Sequence, residues 1–391
     1  MYNILTLNAI SPKGLDKLPG ENFTVSGDIV NPDGIIVRSA DMHEYNFPDS
    51  LLCVARAGAG TNNIPLDKCA EKGIVVFNTP GANANAVKEL VIAALLLASR
   101  KIVEASEWTK TLKGQPDMDK LVESGKKKFA GPEITGKKLG VLGLGAIGVL
   151  VANAALALGM EVIGYDPYLS VQSAWHISGQ VELAKSIEEV VSQSDYVTIH
   201  TPLNDSTKGM VNAELLKKFK KGARLINIAR GGLVDPVAVA EALDNGILAK
   251  YVADFAAEEL LGKENVIILP HLGASTPESE ENCAVMAAQE LKEYIEYGNI
   301  KNSVNFPNCE APYTGKARVT IAHRNIPNMV GSITAIFAKE NLNIDNMINK
   351  SRGDWAYTII DFDSLGDKHD SLLNELKGLK GVVKPRIVRE R

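Results

Sequence analysis

The chain has no surplus of positive charge, few cysteines, and no repeated or low-complexity tract. Its 42 Lys and Arg against 47 Asp and Glu give a formal net charge of −5. That balance argues against non-specific nucleic-acid binding as its main work. Four cysteines, Cys53, Cys69, Cys283 and Cys309, lack metal-ligand spacing, so no metal is expected and they read as reduced cytoplasmic thiols. Met1–Ile10 alternates like a short strand and lacks the basic head and apolar stretch of a secretory leader. The stretch Leu139–Met160 lacks charge altogether and is long enough to span a bilayer. Its glycines Gly140, Gly143, Gly145, Gly148 and Gly159 instead describe a strand, a turn and a helix. The expectation is a cytoplasmic protein with neither membrane nor nucleic-acid partner.

The 391 residues, 45% hydrophobic and 23% charged, suit a soluble globular chain of two or three domains. From Leu139 to Pro270 strand and helix patterns alternate. Strands are expected at Leu139–Leu142, Glu161–Tyr165, Tyr196–His200, Arg224–Ala229, Tyr251–Phe255 and Val266–Leu269. Helices are expected at Ala146–Leu158, Ser186–Ser192, Ala213–Phe219 and Pro236–Asp244. Such alternation predicts a parallel, doubly wound sheet. Earlier strand–turn segments, Gly34–Ser39, Leu51–Ala57 and Ile74–Asn78, precede an alanine- and leucine-rich helix, Val87–Ser99. A long helix begins at Pro277, Asn302–Gly315 reads as a linker, and Lys316–Arg391 reads as a separate α+β unit.

Gly143, Gly145 and Gly148 form GLGAIG directly after an apolar strand and at the start of a helix. The first glycine permits a tight turn, the second lets a pyrophosphate approach the backbone, and the third lets helix and strand pack closely. The phosphates would meet free N–H groups and the positive helix end. Asp166 ends the next strand 18 residues past Gly148, near the ~20 expected of a ribose-binding acid. A carboxylate there repels a 2′-phosphate, so the cofactor reads as NAD.

Downstream, Arg230, a glutamate and His271 sit just past candidate strands, at the sheet edge where ligands bind. Arg230 offers a rigid donor fork for a carboxylate. His271 carries an imidazole, whose ordinary pKa near ~6.5 suits proton transfer. A glutamate on the ring's other nitrogen would fix its tautomer. Two neighbours, Glu258 and Glu259, offer this acid, and Glu258 is the one taken.

With GLGAIG, Asp166, NIARGGLVD (Asn227–Asp235), the DF…E segment and PHLGAST (Pro270–Thr276), the chain resembles the D-isomer-specific 2-hydroxy-acid dehydrogenases. The resemblance implies a Rossmann-type doubly wound parallel sheet, a second flavodoxin-like α/β substrate domain, and a small C-terminal βαββαβ unit of ACT type. It places a discontinuous substrate domain at 1–88 and 276–305, the NAD-binding domain at 89–275, a linker at 306–316 and the ACT-like domain at 317–391. Ala146, Ile147, His200, Thr201, Pro202, Ala229, Asp254 and Gly273 join the implied cofactor contacts. Arg38 and Ser39 after one strand, and Arg56 with Gly58 after the next, correspond to substrate anchors. Two arginines suit a substrate carrying phosphate as well as carboxylate. The implied activity is therefore NAD-dependent oxidation of 3-phospho-D-glycerate to 3-phosphooxypyruvate, entering serine synthesis. A dehydrogenase of glycerate, hydroxypyruvate or lactate is the nearest alternative, and an NAD-sensing corepressor is the non-enzyme one. In the C-terminal unit His323, Asn325 and Asn343 match positions that bind inhibitory L-serine. Asn328 departs from that motif, which has glycine there, although asparagine tolerates a positive φ. Association into at least a dimer is expected.

Overall fold

The computed structural model describes residues 1–314 and 317–389; Gly315 and Lys316, the last two of the expected linker, lie outside the described residues. The chain forms two compact units, Met1–Asn83 with Pro277–Arg391, and Ala84–Thr276.

The first unit opens with a five-stranded sheet: β1 (Tyr2–Leu7), β2 (Phe23–Ser26), β3 (Gly34–Val37), β4 (Cys53–Arg56) and β5 (Val75–Phe77). All neighbours are parallel, in the order β2-β1-β3-β4-β5. This is the flavodoxin order, whose switch point lies between the first and third strands. Burial on both faces explains the unbroken apolar runs in β3 and β4. Ile36 and Ala55 point into one core with Ala287 and Leu291 of the helix Pro277–Tyr297, whereas Ile35 and Val54 point into another with Phe47 and Cys69.

The second unit is a seven-stranded parallel sheet: β6 (Lys138–Leu142), β7 (Glu161–Tyr165), β8 (Glu182–Leu183), β9 (Tyr196–Ile199), β10 (Ala223–Asn227), β11 (Leu248–Ala253) and β12 (Val266–Ile268). Its order is β12-β11-β10-β9-β6-β7-β8, so the chain reverses direction across the sheet between β6 and β9. Alternate residues again separate two cores. Val141 packs with Val91 and Leu95 of the helix Ala84–Ser99 and Val151 of the helix Ala146–Ala157. Leu142 and Leu225 pack with Val190, Leu215 and Val239. The expected helix from Ala213 closes after Leu216, one turn capped by the Asn212 side chain on the Leu215 N–H.

The remaining strands belong to the first unit: β13 (Ala317–Arg324), β14 (Ile344–Arg352), β15 (Trp355–Phe362) and β16 (Val382–Arg389). They form an antiparallel sheet in the order β14-β15-β13-β16. With helices Met329–Lys339 and His369–Gly378 this is the expected βαββαβ arrangement. Val319 and Ile321 face those helices, while Ala322 and Tyr357 join Tyr294 of the long helix. On that second face lies Arg318, fully buried and paired with Asp361 at 2.6 Å. No helix is long and apolar enough to cross a membrane, among the described residues.

Candidate functional site

The glycine loop Gly143–Gly148 forms at the switch point. Gly143 follows β6 with φ +95°, and a Cβ on it would lie 2.8 Å from the His200 carbonyl group just beyond β9. A side chain is therefore excluded both by conformation and by the neighbouring strand. At Gly148 a Cβ would sit 1.9 Å from the Gly143 carbonyl oxygen, whereas at Gly145 it would meet nothing within 4 Å. The loop is tight against protein on one side and open on the other. Gly145 is the N-cap of the helix Ala146–Ala157 and supplies no capping side chain, so the first-turn N–H groups of a twelve-residue helix stay available to an anion. Asp166 lies past β7 and braces the loop: it accepts from the Leu144 N–H and the Tyr168 N–H, both at 2.8 Å.

His200 contributes a ring rather than a charge. Its Nε2 meets Thr198 Oγ1 at 3.0 Å, Nδ1 is buried without a partner, and burial pushes its pKa down to about 3. Asp254, past β11, is 2% exposed. One carboxylate oxygen accepts from the Gly273 N–H at 3.1 Å and the other is buried without a partner. Burial raises its pKa, opposed by that N–H and by the charges of His271 and Arg230. An orphaned buried acceptor, an open glycine loop and an uncapped helix end fit a dinucleotide with an amide-bearing head.

Arg230 follows β10. The expected strand to Ala229 stops at Asn227, because the Asn227 side chain turns the backbone: its Nδ2 donates to the Arg230 carbonyl at 2.9 Å and its Oδ1 accepts from the Ala229 N–H at 3.2 Å. Sequence reasoning missed this role, although an asparagine closing an apolar strand before Arg-Gly-Gly is its signal. His271 follows β12 with φ +45°, its N–H held by the carbonyls of Asp254 and Leu269. Its ring rests on Phe255, centroids 4.7 Å apart. A cleft of about 340 Å³ runs along Asp254, Phe255 and Pro270 to His271. Glu258 and Glu259 are both exposed, and neither is hydrogen-bonded to the imidazole.

In the first unit, Arg56 donates through Nε to the Arg38 carbonyl at 3.1 Å. A Cβ on Gly58 would lie 2.2 Å from Arg56 Nη1, so the glycine makes room for the guanidinium. Arg38 is held by Glu280 at 2.5 Å. The N–H groups of Ser39 and Ala40 both donate to Asn8 Oδ1, which sets the turn at this sheet's own switch point.

In the C-terminal sheet the three expected effector contacts are not brought together within one chain. His323 is 1% exposed and its ring is fully engaged: Nδ1 meets the Arg324 carbonyl at 2.8 Å, and Nε2 meets Thr358 Oγ1 and Asn349 Oδ1. It is a sheet-locking residue rather than a free ligand. His323 pairs with Ala356 while Ile344 pairs with Phe362, so Asn343 lies at the other end of the sheet. Asn325 is exposed and donates to the Gly353 carbonyl. Asn328 adopts φ +64° and keeps the turn that glycine would make.

The sequence profile of the "D-isomer specific 2-hydroxyacid dehydrogenase, NAD binding domain" matches residues 92–273. The D-3-phosphoglycerate dehydrogenase of Methanocaldococcus jannaschii is 36% identical over 78% of the chain, and that of Escherichia coli K12 is 32% identical over 88%. The chain spans 57% of the first relative's length and 83% of the second's. A crystal structure of the NAD+-bound 3-phosphoglycerate dehydrogenase of Entamoeba histolytica superposes with a TM-score of 0.60 at 25% identity, covering 78% of this chain and 98% of that one. The chain belongs to the D-isomer-specific 2-hydroxyacid dehydrogenases and carries their NAD-binding domain.

Proposed function

We propose that the protein oxidises 3-phospho-D-glycerate with NAD. The observation that carries this reading is one sheet edge holding an open glycine loop, an orphaned Asp254 oxygen, Arg230 and His271. Gly143–Gly148 hold the pyrophosphate, Asp166 the ribose, and Asp254 the carboxamide, with His200, Thr201, Pro202, Ala229 and Gly273 lining the path. The bound nicotinamide supplies the hydride acceptor. Arg230 grips the substrate carboxylate and polarises the C2 oxygen. His271 takes the C2 hydroxyl proton. Glu258 is the residue assigned to hold the imidazole's other nitrogen; comparing Glu258→Gln with Glu259→Gln decides between neighbours. Arg56, Arg38, Ser39 and the Gly58 backbone are assigned to the phosphate, which separates this substrate from glycerate and lactate.

The test is NADH formation with 3-phosphoglycerate against unphosphorylated glycerate and lactate. The phosphorylated acid should be strongly preferred, and His271→Ala should lower kcat by about 10²–10⁴-fold. Equal rates on lactate would overturn the substrate, and a fully active His271→Ala the mechanism.

Two accompanying readings concern assembly. Leu96, Ile102, Val103, Met118 and Leu121 are exposed along consecutive helices, which supports a homo-oligomer; sedimentation as a monomer would refute it. With His323 already engaged, L-serine would need Asn325 of one chain and Asn343 of another. Inhibition by serine that Asn325→Ala abolishes is the expected result; unchanged rates up to millimolar serine end the idea.

A further inference from the structure

Away from every residue assigned above, the first unit contains a cleft of about 550 Å³, a size that suits a small metabolite. One wall is the end of β14, with Lys350, Ser351 and Arg352. The other comes from Asn302 and Asn308 in the segment after the long helix and from Asn78 just past β5. Alternation along a strand puts Lys350 and Arg352 on one face, about 7 Å apart.

Neither cation has a salt-bridge partner among the described residues. Arg352 donates one Nη1 hydrogen bond to the Ser303 carbonyl at 2.8 Å, which fixes the side chain and leaves Nε and Nη2 unengaged. The asparagines are already oriented. Asn302 Nδ2 donates to Glu290 Oε1 at 2.7 Å and Asn78 Nδ2 to the Ala59 carbonyl at 2.6 Å, so each has an amide oxygen left as an acceptor. Two positive donors facing two neutral acceptors call for a ligand that carries both anionic groups and hydroxyls.

We propose that this cleft is a second binding site, taking a small hydroxylated organic dianion, either a phosphate ester or a dicarboxylate, between the C-terminal sheet and the 302–308 segment. Guanidinium and ammonium groups hold the two negative charges, and the Asn78 and Asn302 oxygens accept from ligand hydroxyls. Because both walls touch one ligand, occupancy ties β14 to the segment that runs beside β5.

Calorimetric titration of the full-length protein with tartrate, glycerol 2-phosphate and succinate tests this. Tartrate or glycerol 2-phosphate should bind with submillimolar Kd, and succinate, which lacks hydroxyls, more weakly. Whichever of the first two binds identifies the anionic group. Lys350→Gln, which removes no existing contact, should weaken binding by about tenfold or more while NAD affinity stays unchanged. Arg352→Gln should weaken it similarly. No binding of either hydroxylated probe in the millimolar range overturns the proposal, as does an unaltered Kd in Lys350→Gln.

Discussion

The sharpest constraints fall on single atoms. A methyl on Gly148 would collide with the Gly143 carbonyl at 1.9 Å, and neither backbone can yield without opening the loop. Gly148→Ala should cost about 1–3 kcal/mol and weaken NADH binding, followed by Tm and nucleotide fluorescence; an unchanged Kd would free the loop from its assigned role. Arg38 is occupied by Glu280 in a half-exposed pair, so under the proposed assignment of Arg38 to the phosphate a substrate anion would displace that carboxylate. Glu280→Gln should lower KM for the phosphorylated substrate by about two- to fivefold, the range of a surface ion pair, with kcat little changed. Arg318 and Asp361, both fully buried, behave differently. Arg318 also donates to the carbonyls of Tyr297, Ala311 and Pro312. Asp361→Asn strands that guanidinium in the core and should cost about 3–5 kcal/mol in denaturant titration.

At the scale of elements, local chemistry shows why some boundaries were legible and others were not. Asp235 before Pro236 announces a helix start: its carboxylate caps the Val237 and Ala238 N–H groups at 3.0 and 3.2 Å, and proline needs no N–H there. The helix Pro236–Asp244 accordingly matches the expectation. Asp235→Ala should remove about 1 kcal/mol, read as a lower Tm, and loosen the turn carrying Arg230. The edge strands Phe23–Ser26 and Glu182–Leu183 were not anticipated. Four and two residues are too short for a period of two to emerge, and pairing with β1 and β7 is what extends them.

For the molecule as a whole, one buried acid ties stability to pH. Glu290, 7% exposed on the helix Pro277–Tyr297, is pushed up to about 8 by burial, against the opposing pull of the Asn302 amide. Unfolding returns it to an ordinary carboxylate near ~4.3. The folded state thus holds the proton more tightly, so its stability is fully present below that value and is lost as pH rises through about 8. Tm should fall between pH 5 and 8, and Glu290→Gln should flatten the decline; identical profiles for both proteins would refute this.

The linear chain determined the parallel sheets, the glycine loop with its acid, and the strand-end order of Arg230 and His271. Each of those follows from local periodicity, turn chemistry and sequence spacing. Tertiary structure alone decided which polar atoms remain free. His323 spends both ring nitrogens inside its sheet and Arg38 holds Glu280, while Asp254 keeps one oxygen unmatched and Glu258 makes no hydrogen bond to the imidazole. Hydrogen-bond satisfaction depends on neighbours remote in sequence, such as Glu280 for Arg38 or Thr358 for His323, and no spacing rule along the chain encodes where they arrive.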